Sequence, residues 1–353
     1  MANLIKKAME VGFDKRVKPT GFISNLYETK QLDTIKVEVQ ARSVKAIYSV
    51  DTKLGTGGRR IDLSGYDKKE FVIPEYNNFA VLTEKDVFNA QFGENEYQVA
   101  SNIANIINDA QEIISEMHRR AEEKQACDAL FLGKIVLSDG TEIEFNKKAS
   151  HAISKSSAKW SGNGNPIDDL TSACGLCIKD GKLSVSEFNL ILGEESLNAF
   201  LSNANVKGNS NWNNGFKRTD IDMPLQNDMG AVFIGRLACG SYVVNVWAYN
   251  QVYEIPTGYG FANEGTQVSY IPSKGGVLLP LKPAFKKYYA AINNVNATSL
   301  TGGSKLQLVK QEQLPYCYDE LIDGSALTKA GVKSRPLYVP IDVDSFVTFG
   351  DLA

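Results

Sequence analysis

Histidine is nearly missing from this chain, which has two residues of it, His118 and His151, in 353. A Ser-His-Asp or Cys-His mechanism would have to use one of those two, and a multi-histidine metal site is excluded. Cysteine is sparse and odd in number. Cys127, Cys174, Cys177, Cys239 and Cys317 are too scattered for a disulfide scaffold, so reduced, buried thiols are the expectation. No run approaches the ~20 continuous apolar residues of a membrane-spanning helix. The opening MANLIKKAMEVGFDKRVKPTG breaks its apolar positions with charge, so no signal peptide is expected and the chain reads as soluble and cytoplasmic where it is made. A surplus of one charge is missing too. Thirty-eight basic against 41 acidic residues leave −3, which argues against wrapping nucleic acid or coating an anionic membrane as the main task. There is no internal repeat and no low-complexity tract.

What is present suffices for a real core: 43% of residues are apolar, over a length that fits one large domain or two modest ones. Residues 1–33 read as an arm, because Lys6, Lys7, Lys15, Arg16 and Lys18 interrupt isolated apolar residues and Pro19-Thr20-Gly21 breaks any helix. Ile35, Val37 and Val39 alternate as a half-buried strand. Residues 41–75 read as a long β-hairpin with Gly55, Gly57, Gly58, Arg59 and Arg60 at its tip. Arms of that length reach roughly 50 Å, and a two-stranded ribbon so poor in apolar residues is marginal in water. It needs a surface that this chain does not obviously supply, which points to a neighbouring subunit.

The clearest helix spans 96–132. Val99, Ile103, Ile106, Ile107, Ala110, Ile114, Met117, Ala121 and Leu132 keep mostly helical spacing, and Gly93 and Gly133 bound it. At ~1.5 Å per residue it is about 55 Å long, against a radius of gyration near 20 Å for a globule of this size. Ile135–Phe145 is a hairpin turning at Asp139-Gly140. A polar linker, SKSSAKWSGNGNP, ends at Pro166, which opens a helix with acidic residues in its first turn. FNLILG reads as a buried strand, Glu194–Ser202 as a short helix, and GAVFIGRLA, YVVNVWAY, GTQVSYIPSKGGVLLP and PLYVPIDVDSFVTF as later strands. The class is α+β.

The chemical motifs favour plain readings. Cys174-Gly175-Leu176-Cys177 is a CxxC, but it has no second pair and no nearby histidine, and inside a helix its cysteines simply share a face. The glycines at 55, 57 and 58 lack the Lys-Ser/Thr and the following helix of a phosphate loop. His118 is expected on a helix surface. His151 lies in the polar linker without a nucleophile partner, and Glu142 and Glu144 read as solvated. Asn296-Ala297-Thr298 matches a glycosylation sequon by chance.

Several blocks in order resemble the lambda-type (family E) major capsid proteins of tailed bacteriophages, over roughly 20–353. They are the Gly/Arg-tipped hairpin, FVIPEYNNFAVLT before the long helix, and AEEKQACDALFLGKIVLSDGTEIEF at its end. WSGNGNPIDDL, SEFNLILGEESLNAFLSNANVK, QVSYIPSKGGVLLP and SRPLYVPIDVDSFVTFGDLA follow. The resemblance implies the tailed-phage major capsid fold (Hong Kong 97-like). Its parts would be an N-terminal arm at 1–33, an extended β-hairpin loop with flanking strands at 34–82, a peripheral domain at 83–165 and 284–342 with a long spine helix, and an axial domain at 166–283 and 343–353. It implies no enzyme activity, no cofactor and no metal. It implies pentamers and hexamers of the chain itself closing into an icosahedral head around double-stranded DNA, assembled in the bacterial host cytoplasm. Scaffold and portal proteins are the further partners, with a decoration protein as an optional one and no membrane. The loop-tip residues Lys53, Gly57, Gly58, Arg59 and Arg60 would form a subunit interface. Leu314–Ser334 is longer than the pattern and is the candidate for an inserted outer loop. Two alternatives stand beside this reading: an encapsulin-like nanocompartment shell around a cargo enzyme, and a CxxC redox or zinc enzyme.

Overall fold

Two sheets packed about one long helix frame the described part of the chain. The computed structural model describes residues 21–32, 34, 36–42, 66–82, 96–138, 140–155, 158–209, 230–258, 263–290, 292–294, 307–309, 317–322 and 328–353. The larger sheet has six strands in the spatial order β7 (Ala152–Ser154), β20 (Val347–Gly350), β13 (Gly276–Pro280), β8 (Glu187–Leu192), β10 (Tyr242–Tyr249) and β9 (Ala231–Cys239). β8 and β10 run parallel; β13 opposes both β8 and β20. β9 and β10 form a hairpin whose turn uses Gly240 at φ +58°, a conformation glycine adopts without strain.

Three helices cover one face of this sheet. α2 (Pro166–Gly181) starts with Asn165 as its cap, the side-chain oxygen accepting from the Ile167 N–H at 3.2 Å, with proline in the first turn and Asp168 and Asp169 against the positive end of the helix. Its buried residues Ile167, Leu170, Ala173, Cys174 and Cys177 recur at three- and four-residue spacing. They meet Phe188, Leu190, Val244, Val246 and Phe349 from the strands and Phe200 from α3 (Glu194–Ser202), and α4 (Ala204–Asn209) adds Val206. Trp160 lies fully buried between Phe200 and Phe349, its Nε1–H donating to Asp169 at 2.9 Å. The linker therefore closes this core, because Gly164 passes so near Ala158 that a Cβ there would fall 2.4 Å from its carbonyl oxygen. Leu352 completes it from the other end. Its side chain is buried, its N–H donates to the Lys274 carbonyl, and its carbonyl accepts from the Trp160 N–H.

The long helix is α1 (Glu96–Phe131), one residue shorter than the expected 96–132. Gly133 ends it at φ +67°, the left-handed position that closes many helices. Against it packs a three-stranded sheet of β1 (Glu28–Gln31), β14 (Phe285–Tyr289) and β19 (Pro336–Pro340), with β1 parallel and β19 antiparallel to β14. The pair β5 (Lys134–Val136) and β6 (Glu142–Glu144) forms the hairpin expected there, with Gly140 in its turn at φ +81°. Glu142 and Glu144 are exposed and Ile143 is buried between them. Two small ladders, β11 (Val252–Glu254) with β12 (Gln267–Ser269) and β15 (Ile292–Asn294) with β16 (Gln307–Val309), accompany the loop hairpin and the sheet described next.

Two expectations shift. The long hairpin was placed at 41–75, but β2 (Lys36–Arg42) pairs with β3 (Tyr66–Val72) from Lys36↔Val72 to Arg42↔Tyr66. The strand expected separately around 35–39 is thus the root of the hairpin's first arm, where burial of Val37 makes the alternation legible. Leu314–Ser334, the candidate inserted loop, contains β17 (Cys317–Ile322) and β18 (Thr328–Ser334), and β18 pairs along β4 (Tyr76–Leu82) beside α1. It extends a sheet because β4 would otherwise present a bare edge on both sides.

Truncating Leu352 to alanine should leave a cavity under the six-stranded sheet and lower the unfolding free energy by about 2–5 kcal/mol. Urea unfolding of the purified subunit measures it; a loss below 1 kcal/mol would mean the segment is not part of that core.

Candidate assembly surface

The hairpin is rooted firmly although its far end is not described. Val37 and Ile73 are buried with Ala129, Ile135, Ile143, Tyr288, Leu337 and Val339, and the Phe71 ring sits 5.8 Å from Phe145. Across the ladder Lys36 pairs with Glu70 at 2.8 Å, and past Pro74 the Glu75 carboxylate accepts from Arg335 Nε at 2.9 Å. The tip residues assigned to a subunit interface, Lys53, Gly57, Gly58, Arg59 and Arg60, lie outside the described residues.

On the helix, on β4 and at the root, several large apolar side chains are exposed. Ile113 and Met117, one turn apart on α1, are 64% and 44% exposed; Phe79 and Val81, on one face of β4, are 57% and 43% exposed. Val72, Leu132 and Val136 add to them. Single exposed apolar residues are ordinary, but a run of them on adjoining elements marks a surface that associates. Met117 and Leu132, expected on the buried stripe of the helix, belong to this exposed set.

His118 departs from its expected place on the helix surface. It is buried under β4 and β18, with Nδ1 2.9 Å from Ser334 Oγ and Nε2 3.3 Å from Asn78 Oδ1. The covering strands come from 40 and 216 residues away, which local helix periodicity cannot register. Burial lowers its pKa to about 4, so it is neutral at physiological pH. His151 is buried as well, with Nδ1 2.8 Å from the Phe346 carbonyl and Nε2 3.1 Å from Asp180 Oδ2, a contact that joins the linker to α2 and to the turn before β20. The Ser334 hydroxyl that meets the His118 ring is itself fully buried, out of reach of a substrate. Cys174, Cys177 and Cys239 are free thiols in the apolar core, where burial pushes Cys177 and Cys239 up to about 12 and Cys174 higher still. Such thiols stay protonated and inert. Among the described residues no cluster of His, Cys, Asp and Glu could hold a metal, and no helix is long and apolar enough to cross a membrane.

The functional residues that sequence reasoning missed are Glu122 and Glu123, both buried in the lower half of α1. Glu122 Oε2 accepts the hydroxyls of Tyr289 and Tyr338, each at 2.7 Å, tying the helix to β14 and β19. Glu123 Oε1 accepts the Tyr249 hydroxyl at 2.8 Å, tying it to β10. One signal was available: Glu122 falls four residues before Ala126 and Glu123 four before Cys127, on the stripe that those residues bury.

Comparison with known proteins follows the same outline. A family model described as phage major capsid protein E matches residues 13–349. No curated protein matches the sequence. Among solved structures, a protein assigned as a prophage capsid protein in E. coli CFT073 is 15% identical with a TM-score of 0.65, over 99% of this chain and 98% of that one. A phage-related protein from Bordetella bronchiseptica RB50 is 12% identical with a TM-score of 0.52, over 100% and 97%. The capsid subunit of cyanophage A-1(L) is 14% identical with a TM-score of 0.50, over 94% and 91%. At such identities the similarity is one of fold, the Hong Kong 97-like capsid fold.

The buried histidine carries a pH signature. Its folded pKa, about 4, lies below the usual 6.5, so the unfolded chain takes up a proton that the folded one refuses. Stability should be full above pH 6.5 and fall by roughly 3 kcal/mol as the pH drops to 4. Chemical denaturation of wild type and His118→Gln across that window should show a flatter curve for the variant. Parallel curves would contradict the assignment.

Proposed function

Because this chain belongs to the phage major capsid protein E family, and is a structural subunit of the head shell and not an enzyme, we propose that it closes as pentamers and hexamers into an icosahedral head around double-stranded DNA. Self-assembly into shells and a place in the virion capsid follow from the family; the capsomer geometry, the DNA content and assembly in the host cytoplasm are this proposal. Scaffold and portal proteins are its expected partners, with a decoration protein optional. The observation that carries the reading is the hairpin: its root is built into the core by Val37, Phe71 and Ile73, and its described ladder runs from Lys36↔Val72 to Arg42↔Tyr66.

A ribbon of that kind is stabilised when it lies on another subunit, and a closed shell leaves no ribbon uncovered. The tip residues Lys53, Gly57, Gly58, Arg59 and Arg60 make that contact in this reading. The exposed apolar residues of α1 and β4 are the kind of surface that such contacts cover. We assign the peripheral domain to 83–165 and 284–342 and the axial domain to 166–283 and 343–353, with β7 and Trp160 joining the axial sheet and core from the linker. The arm at 1–33 and the loop with its flanking strands at 34–82 complete the subunit. The near-balance of charge supports a wall that does not grip the DNA moved past it.

Deleting Lys53–Tyr66 should leave a subunit with wild-type circular dichroism and thermal midpoint that forms no particles by electron microscopy. Normal particles from the deletion would overturn the role given to the loop. Purified wild-type particles should carry nucleic acid; particles carrying a protein cargo instead would identify a nanocompartment shell.

A further inference from the structure

Residues 21–27 touch three parts of the fold at once. Phe22 places its ring 5.4 Å from Trp247 and 5.6 Å from Tyr249, both on β10 of the six-stranded sheet. Tyr27 places its ring 5.0 Å from Phe285 on β14 and 5.0 Å from Tyr338 on β19, and donates its hydroxyl to the Ala126 carbonyl of α1 at 3.1 Å. Between these anchors the chain makes a single 3₁₀ turn, Ser24–Leu26.

The amides at the start of such a turn have no partner within it. Here they find one on α1. The Ile23 N–H donates to Glu123 Oε1 and the Ser24 N–H to Glu123 Oε2, each at 2.9 Å. The carboxylate comes so close that a Cβ on Gly21 would overlap it, so the approach depends on glycine. Glu123 Oε1 also holds the Tyr249 hydroxyl. One carboxylate therefore fastens the arm segment and the six-stranded sheet together.

We infer that residues 21–27 are a strap that fixes the angle between the six-stranded sheet and the peripheral sheet across the spine helix, with Glu123 as its fastening. The apolar contacts between the two sheets, such as Leu279, Phe285 and Phe346, are non-directional and tolerate sliding. Hydrogen bonds to a buried carboxylate are directional and tolerate little. The strap selects one angle from those that the packing alone permits, and it does so within a single subunit, independently of any shell.

Hydrogen exchange followed by mass spectrometry on the full-length subunit tests this. Glu123→Gln keeps the side-chain volume but offers one carbonyl oxygen to three donors. Exchange at 21–27 should accelerate about tenfold or more. The strand segments that the strap grips, 247–249, 285–289 and 336–340, should follow, while β8 and β13 keep their wild-type rates. Gly21→Ala should give the same pattern from the strap side, outside the core, should the first variant fold poorly. Acceleration confined to 21–27 would reduce the strap to a docked arm and overturn the inference. So would an equal rise at β8 and β13, which would make Glu123 a general core residue, and so would unchanged rates throughout.

Discussion

Glu122 and Glu123 are neighbours on the spine helix, and at ~100° per residue they address different walls of the molecule. Moving a carboxylate out of water costs several kcal/mol unless its lone pairs are filled. Here five donors meet the pair: two tyrosine hydroxyls on Glu122 Oε2, and two backbone amides and a third tyrosine on Glu123. Burial, reinforced by the Glu122 charge, holds the Tyr289 and Tyr338 hydroxyls well above the usual tyrosine range, so they remain donors at any physiological pH. The peripheral sheet, the six-stranded sheet and the arm segment are thus all referred to one short stretch of α1. Loss of either carboxylate would strand buried donors whose desolvation is no longer compensated.

Beside that hub the helix keeps apolar side chains in solvent. Ile113 and Met117 face solvent, as do Phe79 and Val81 on the strand beside them. A helix of 36 residues runs about 54 Å, more than one subunit of this size can bury. The hairpin root packs at the C-terminal end of the helix, against Ala129. A fold with a polar hub and exposed apolar surface beside it is complete only among copies of itself. Membership of a capsid family gives that incompleteness its purpose.

Much of this was legible from residue order alone. The helix, its glycine stop, the Asp-Gly hairpin and the buried strand at 187–192 all follow from local periodicity and turn chemistry, and the ordered blocks carried the family. What periodicity could not show was contact across sequence distance. His118 looked like a surface residue because the strands that cover it belong to distant segments. Glu122 and Glu123 could not be singled out because their tyrosine partners lie 126 to 216 residues away. The hairpin's start was misplaced by five residues because a strand and the root of a ribbon alternate in the same way. The pairing of β18 with β4, across about 250 residues, was not legible either.

The central claim is that the subunit is a shell protein whose exposed surfaces are completed by copies of itself. Sedimentation of the recombinant protein followed by negative-stain electron microscopy tests it most directly, alone and co-expressed with the neighbouring phage proteins. The account predicts closed, round particles tens of nanometres across. Monomers that persist even with those proteins present would contradict it.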